Sequence, residues 1–308
     1  RLSPVTGEVE WSVSLDGGRG VTPLTVTRWA VYLGLADGSI VALDPQDGTG
    51  RWRVAAGGTP VGRMVLADGR LYLTTEAGAL MCIDGVDGSL QWRETLGGAV
   101  AAGPADLGGR VAAATIDGQI VVFGLDGERT ASWSVDAAPI LASPVGAPGR
   151  LVVFDGAGSV RAFDHEGTAV WQRTLAAHLA GDPGRVGDVV FAGEASGGMV
   201  AIGLGSGEIV ARIALGAAPA GEAVIYEDEV SLALADGTIR RVNVDGEIEQ
   251  APLFTSEGSW VLPESGTFRL ADERVALTMR SNRDAVFEIT VAAAPLEDLV
   301  LRVVSEDG

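Results

Sequence analysis

The sequence contains no lysine: all 22 of its basic residues are arginine, set against 41 Asp and Glu, giving a formal charge of −19 over 308 residues. That balance excludes a free nucleic-acid binder, because counterion release needs clustered positive charge. Adsorption to an anionic membrane surface is disfavoured for the same reason. No stretch approaches the roughly 18 consecutive apolar residues of a membrane span, so direct insertion is not expected. No basic start followed by an apolar run marks a signal peptide, although a chain opening on Arg1 is compatible with a targeting segment already removed. The one cysteine, Cys82 in "ALMCID", reads as a buried small hydrophobe, and a single Cys supports neither a disulfide nor a cysteine zinc site within one copy. Only two His, two Asn and three Tyr are present. With the missing Lys, this scarcity points to a GC-rich bacterial or haloarchaeal genome.

Glycine is abundant, at 44 residues, and 47% of the chain is apolar. The composition fits many short elements separated by turns around a real core. A repeat organises them. Segments 31–54, 71–96, 111–135 and 151–175 are variations on one theme, and weaker copies follow at 189–215 and 230–253. Anchored on Trp11, Trp52, Trp92, Trp133, Trp171, Ala211 and Gln250, the intervals are 41, 40, 41, 38, 40 and 39 residues. Each copy reads as four strands, in the second copy 59–67, 70–76, 79–84 and 89–96. "ADG" and "EAG" turns between apolar runs are strong hairpin signals, because the primed turns need positive φ. The strands are apolar on both alternating faces, so each sheet is covered on both sides. No helical pattern separates the copies. A period near 40 with four strands per copy predicts an all-β fold, a β-propeller of four-stranded blades.

Within the first copy Ala42, Asp44, Gly48 and Trp52 stand at offsets 0, 2, 6 and 10, and Cys82, Asp84, Gly88 and Trp92 repeat that spacing. The pattern resembles the tryptophan-docking motif of quinoprotein-type propellers, the pyrroloquinoline quinone dehydrogenases and their non-enzymatic relatives. The resemblance implies that each Trp stacks between the small residue of its own third strand and the Gly peptide of the neighbouring blade. Trp11, Trp52, Trp92, Trp133 and Trp171 would then be blade-docking residues, together with Gly7, Gly48, Gly88, Ala42, Asp44 and Asp84. The departures are graded: Gly167 comes one residue early, Trp133 is read as lying beyond a longer turn, Gly203 and Ala211 replace Asp and Trp, and the copy ending at Gln250 has lost the aromatic. The later seams are expected to be less firmly locked.

The repeats occupy residues 1–256, with 1–15 supplying only the outer strand of a blade. Residues 257–308 either close the ring with inner strands for that composite blade, making seven blades, or form a small appended β module. In the other alternative the chain is a piece of a longer protein or complex, and a missing N-terminal blade makes eight.

The chemistry expected of a quinoprotein dehydrogenase is not matched. The resemblance would require a Glu, Asn and Asp calcium set, a catalytic Asp and often a vicinal cysteine pair, whereas the two asparagines are Asn243, at a docking turn, and Asn282. No catalytic residue, cofactor or metal site is assigned. His165 in "FDHEG" reads as a solvated turn residue, and His178 is a candidate for the central channel. Turns such as 44–50 and 84–90 look like calcium loops but lack alternating ligands, and Asx turns explain them. "YEDE" at 226–229 reads as a hairpin tip. The expectation is a non-catalytic scaffold similar to outer-membrane assembly lipoproteins and bacterial propeller sensor domains, holding a protein or peptide partner on a ring face or channel mouth. The resemblance also implies an extracytoplasmic location. The alternative is a ligand sensor or enzyme with its site in the channel. Sequence assigns no partner-binding residue.

Overall fold

The computed structural model of the chain describes residues 1, 9–16, 18–136, 139–221, 223–226, 229–243, 248–251, 253–254, 260–261, 265–270, 273–281 and 287–292, with 226, 229 and everything from 243 onward described by backbone alone. Six four-stranded antiparallel sheets follow one another along the sequence, each ordered from an inner strand to an outer one. Blade 1 is built from Thr25–Val26, Val31–Gly34, Ser39–Leu43 and Gly50–Ala55. Blade 2 uses Pro60–Ala67, Arg70–Thr75, Ala79–Asp84 and Leu90–Thr95. The inner strands of blades 3 to 6 are Ala105–Asp106, Val145–Ala147, Gly184–Val186 and Val224–Tyr226.

The pattern of burial explains why these segments pair as they do. Second and third strands carry Val, Leu, Ile and Ala on both faces and are buried throughout, whereas the outer strands alternate exposed and half-buried residues. The core is therefore divided among the blade seams. Tyr32, Ile40 and Ala42 of blade 1 pack on Leu71, Leu73 and Ile83 of blade 2, and four further clusters join blades 2 to 3, 3 to 4, 4 to 5 and 5 to 6 in the same way. Between second and third strands the chain reverses on a glycine at positive φ, as at Gly38 and Gly78. The Gly38 turn is closed by Gly38 N–H to Leu35 O at 3.0 Å and Leu35 N–H to Ser39 O at 2.8 Å.

Six blades correct the expectation of seven, with eight as the other count. No sheet joins residues 9–16 to the C-terminal strands among the described residues; Ser265–Leu270, Glu273–Ser281 and Phe287–Ala292 pair only with one another as a three-stranded sheet. The physical reason lies at the N-terminus, where the Trp11 indole N–H donates to Pro45 O at 3.2 Å. That contact turns the segment onto blade 1. Leu253–Phe254 and Trp260–Val261 form a separate two-stranded ladder. Among the described residues no helix is long and apolar enough to cross a membrane.

Candidate functional site

Register within each blade fixes where its tryptophan stands. Ala42 pairs with Trp52, Cys82 with Trp92 and Ala162 with Trp171, and in each case the ladder shifts by one residue just beyond the pair. Blade 5 keeps the same bulge with Ala201 opposite Ala211. Blade 3 departs in a way the sequence reading missed. Its bulge follows Val122 opposite Ala131, and Trp133 lies two residues further along, opposite Ile120. The turn before it is not longer, because Gly124 N–H already bonds Glu128 O, whereas blade 1 closes from Asp44 to Thr49.

Every one of these rings reaches the third-to-outer turn of the next blade. A Cβ built on Gly48, Gly88, Gly127, Gly167 or Gly207 would lie 2.5 to 2.8 Å from the ring of Trp11, Trp52, Trp92, Trp133 or Trp171, respectively. Only glycine leaves room there, and all five have positive φ. Four of the indole N–H groups donate to a carbonyl of the same turn: Trp11 to Pro45, Trp52 to Gly85 at 3.3 Å, Trp92 to Leu125 at 2.9 Å and Trp171 to Leu204 at 2.9 Å. The displaced Trp133 leaves its buried Nε1 without a hydrogen-bond partner. Gly7 lies outside the described residues.

The aspartates of these turns shape the backbone. Asp44 accepts the Gln46 N–H at 2.8 Å and pairs with Arg51 at 2.7 Å, and Asp84 accepts the Val86 N–H at 2.8 Å. Backbone donation from Gln46 holds the Asp44 carboxyl below its ordinary value. Asp87 and Asp164 are lowered chiefly by the N–H groups of Ser89 and Thr168, and Asp37 and Asp236 by the hydroxyls of Ser39 and Thr238. In each case the folded state favours the ionised form. The stabilisation is therefore present above the unfolded value of 3.8 and is lost as pH falls through the lower folded value. Thermal unfolding followed by circular dichroism is expected to give a flat midpoint between about pH 8 and 5 and a falling one below about pH 4. A midpoint unchanged down to about pH 2 would contradict this origin.

Inner strands of five blades enclose a cavity of about 370 Å³ along the axis, reaching from Ser143 to the turn at Pro148. Arg63, Asp106 and Arg185 supply its charge, and Pro104, Pro144, Pro148 and Pro183 much of its wall. A second depression of about 430 Å³ lies where the inner strands of blades 4 and 5 begin, bordered by Leu141, Asp155, His178 and Asp182. The two are divided by a polar bridge. Gly103 N–H donates to Ser143 Oγ at 2.9 Å, and Ser143 donates from its backbone N–H to Asp182 Oδ1 at 3.0 Å and from Oγ to Oδ2 at 2.5 Å. These positions are equivalent in successive repeats, a signal legible only once the inner strands are aligned.

His178, expected in the channel, instead borders the second depression, with Nδ1 2.9 Å from Gly156 O. His165 stands in its turn, 3.9 Å from Glu166. Cys82 is fully buried in a core cluster, and burial pushes its thiol up, as it pushes the Tyr72 phenol up to about 12. The side chains of "YEDE", Asn243 and Asn282 lie outside the described residues. Among the described residues no cluster of three or more His, Cys, Asp or Glu is arranged to hold a metal ion.

Stacked four-stranded sheets, a 40-residue period and tryptophans seated on the next blade's glycine turn define a propeller of PQQ-like repeats. The family described as outer membrane protein assembly factor BamB matches residues 1–64, 36–154 and 156–304, and the chain belongs to it. Among solved structures, BamB from Moraxella catarrhalis is similar at 18% identity and a TM-score of 0.56, over 88% of this chain and 83% of that one. The computationally designed Ika8 protein is similar at 14% identity and a TM-score of 0.62, over 92% of this chain and 99% of that one. No curated protein sequence matches.

Proposed function

We propose that the chain is a non-catalytic scaffold that holds a protein or peptide partner on the ring face where the inner strands begin. The observation that carries this reading is the depression between blades 4 and 5. Leu141 is 58% exposed at its rim, beside His178, while the acidic groups around it are committed to the fold. Asp182 is taken by Ser143, and Asp155 accepts the Ala157 and Ser159 N–H groups at 3.0 and 2.9 Å. An exposed aliphatic rim over committed polar groups suits contact more than reaction. Membership of a family described by outer-membrane protein assembly supports a protein partner and an extracytoplasmic site of action.

Affinity capture from a cell-envelope extract tests the reading. The wild-type chain is expected to retain one stoichiometric partner, Leu141→Asp to lose it, and Val170→Asp, on the exposed outer strand of blade 4, to keep it. Equal retention by all three would move the partner off this face. The competing reading, a ligand-sensing or quinoprotein-like domain with its site in the channel, predicts a raised melting temperature with pyrroloquinoline quinone and Ca²⁺. A clear shift of that kind would overturn the scaffold.

A further inference from the structure

We propose that the axial cavity at the other end of the channel binds an organic monocarboxylate, with its carboxylate on Arg185 and its apolar portion against the proline wall. In a chain of net charge −19, this cavity brings Arg63 and Arg185 together with only Asp106 in opposition. Asp106 is partly occupied by its own turn, accepting the Gly108 N–H at 2.8 Å.

Arg185 is held in place by neutral groups. Its Nε donates to Gly146 O at 3.1 Å and its Nη1 to Gly187 O at 2.6 Å, and no carboxylate of a described residue pairs with it. Both carbonyl contacts orient the guanidinium without cancelling its charge, and Nη2 remains for a ligand. The cost of ordering a long side chain is thus met before binding. Arg63 adds a second positive charge on the same wall while donating from Nη2 to Ala223 O at 3.3 Å. The strand positions make the cations conspicuous: at the place of Arg185 the neighbouring blades carry Gly146 and Ile225.

The wall selects carboxylate over phosphate. Phosphate sites are built from converging backbone N–H groups, and Pro104, Pro144 and Pro183 remove such donors here. A planar fork facing a low-donor, apolar wall suits a planar, singly charged group. The volume of about 370 Å³ lies at the small end of ligand pockets, enough for a small acid or the last residues of a peptide. This site is at the opposite end of the channel from the proposed partner face, and neither depends on the other.

Calorimetric titration of the full chain tests the proposal with four probes: 4-phenylbutyrate, N-acetyl-Ala-Val-Phe with a free C-terminus, the same peptide as its amide, and inorganic phosphate. At least one carboxylate is expected to bind, with the amide at least about tenfold weaker than the acid and phosphate weaker than either carboxylate. Preference for phenylbutyrate assigns a free acid as the source, and preference for the peptide acid assigns a chain terminus. Arg185→Gln is expected to lower carboxylate affinity at least about tenfold and Arg185→Lys to retain part of it. Equal binding of acid and amide, tighter binding of phosphate, or no binding by either carboxylate overturns the proposal. The acid-to-amide comparison decides on the wild-type protein even where a variant fails to fold.

Discussion

Replacing Gly62 by alanine is expected to cost about 3–4 kcal/mol, the largest effect of any single methyl added to the described chain. A Cβ at this position would lie 1.9 Å from Gly103 N and 2.5 Å from Ala102 C, both backbone atoms, so no side-chain rotation relieves the clash. Gly62 also has φ of +64°, which an L side chain adopts only with strain. The two inner strands would have to separate at the channel, taking with them the Ala102 carbonyl, which accepts the Thr74 hydroxyl at 2.7 Å. Gly69→Ala is the matched comparison. It has φ of +75° but open space around the added methyl, and is expected to cost only about 1 kcal/mol. Urea unfolding of both variants decides the matter: equal losses would mean that backbone conformation, and not the close approach of blades 2 and 3, accounts for the cost.

Trp171→Ala is expected to lose about 3–5 kcal/mol, because it empties the seam between blades 4 and 5. Trp171 is buried among Val160, Ala162, Val200 and Leu204, and its ring covers Gly207. The more discriminating comparison keeps an aromatic. Trp171→Phe removes the donor to Leu204 O, whereas Trp133→Phe removes an N–H that has no partner to lose. The Trp171 variant is therefore expected to be less stable than the Trp133 variant by about 1 kcal/mol. Equal midpoints in urea would show that the indole hydrogen bond adds nothing to the docked ring.

Much of the architecture was legible because a repeat states the same fact several times. The strands read in the second copy agree with Pro60–Ala67, Arg70–Thr75, Ala79–Asp84 and Leu90–Thr95 within a residue or so, since each ends at a glycine turn. The blade count was less legible. It turned on residues 1–15 and 257–308, where the motif fades and hydrophobic alternation alone does not choose a pairing partner. Trp133 misled for a related reason: spacing in sequence placed it past a longer turn, but the bulge sets the register, and the bulge follows Val122. The channel was the least visible part. Ser143, Asp182 and Arg185 are ordinary polar residues in short, glycine-rich and proline-rich segments, and their meeting depends on the curvature of the ring. His178 illustrates the limit, since its backbone position was near the channel while its side chain turned to Gly156.

Because each tryptophan reaches only forward into the next sheet, the molecule behaves as a one-dimensional array of nearest-neighbour couplings. The couplings are unequal. The seam from blade 5 to blade 6 has Ala211 where its predecessors have an indole, so its bond in the array is the weakest of the described series. Amide exchange in blade 6 accordingly proceeds through a partial opening that leaves blades 1 to 5 stacked, and a ligand bridging Ile225 of blade 6 to Arg185 of blade 5 would slow it by closing that weak link.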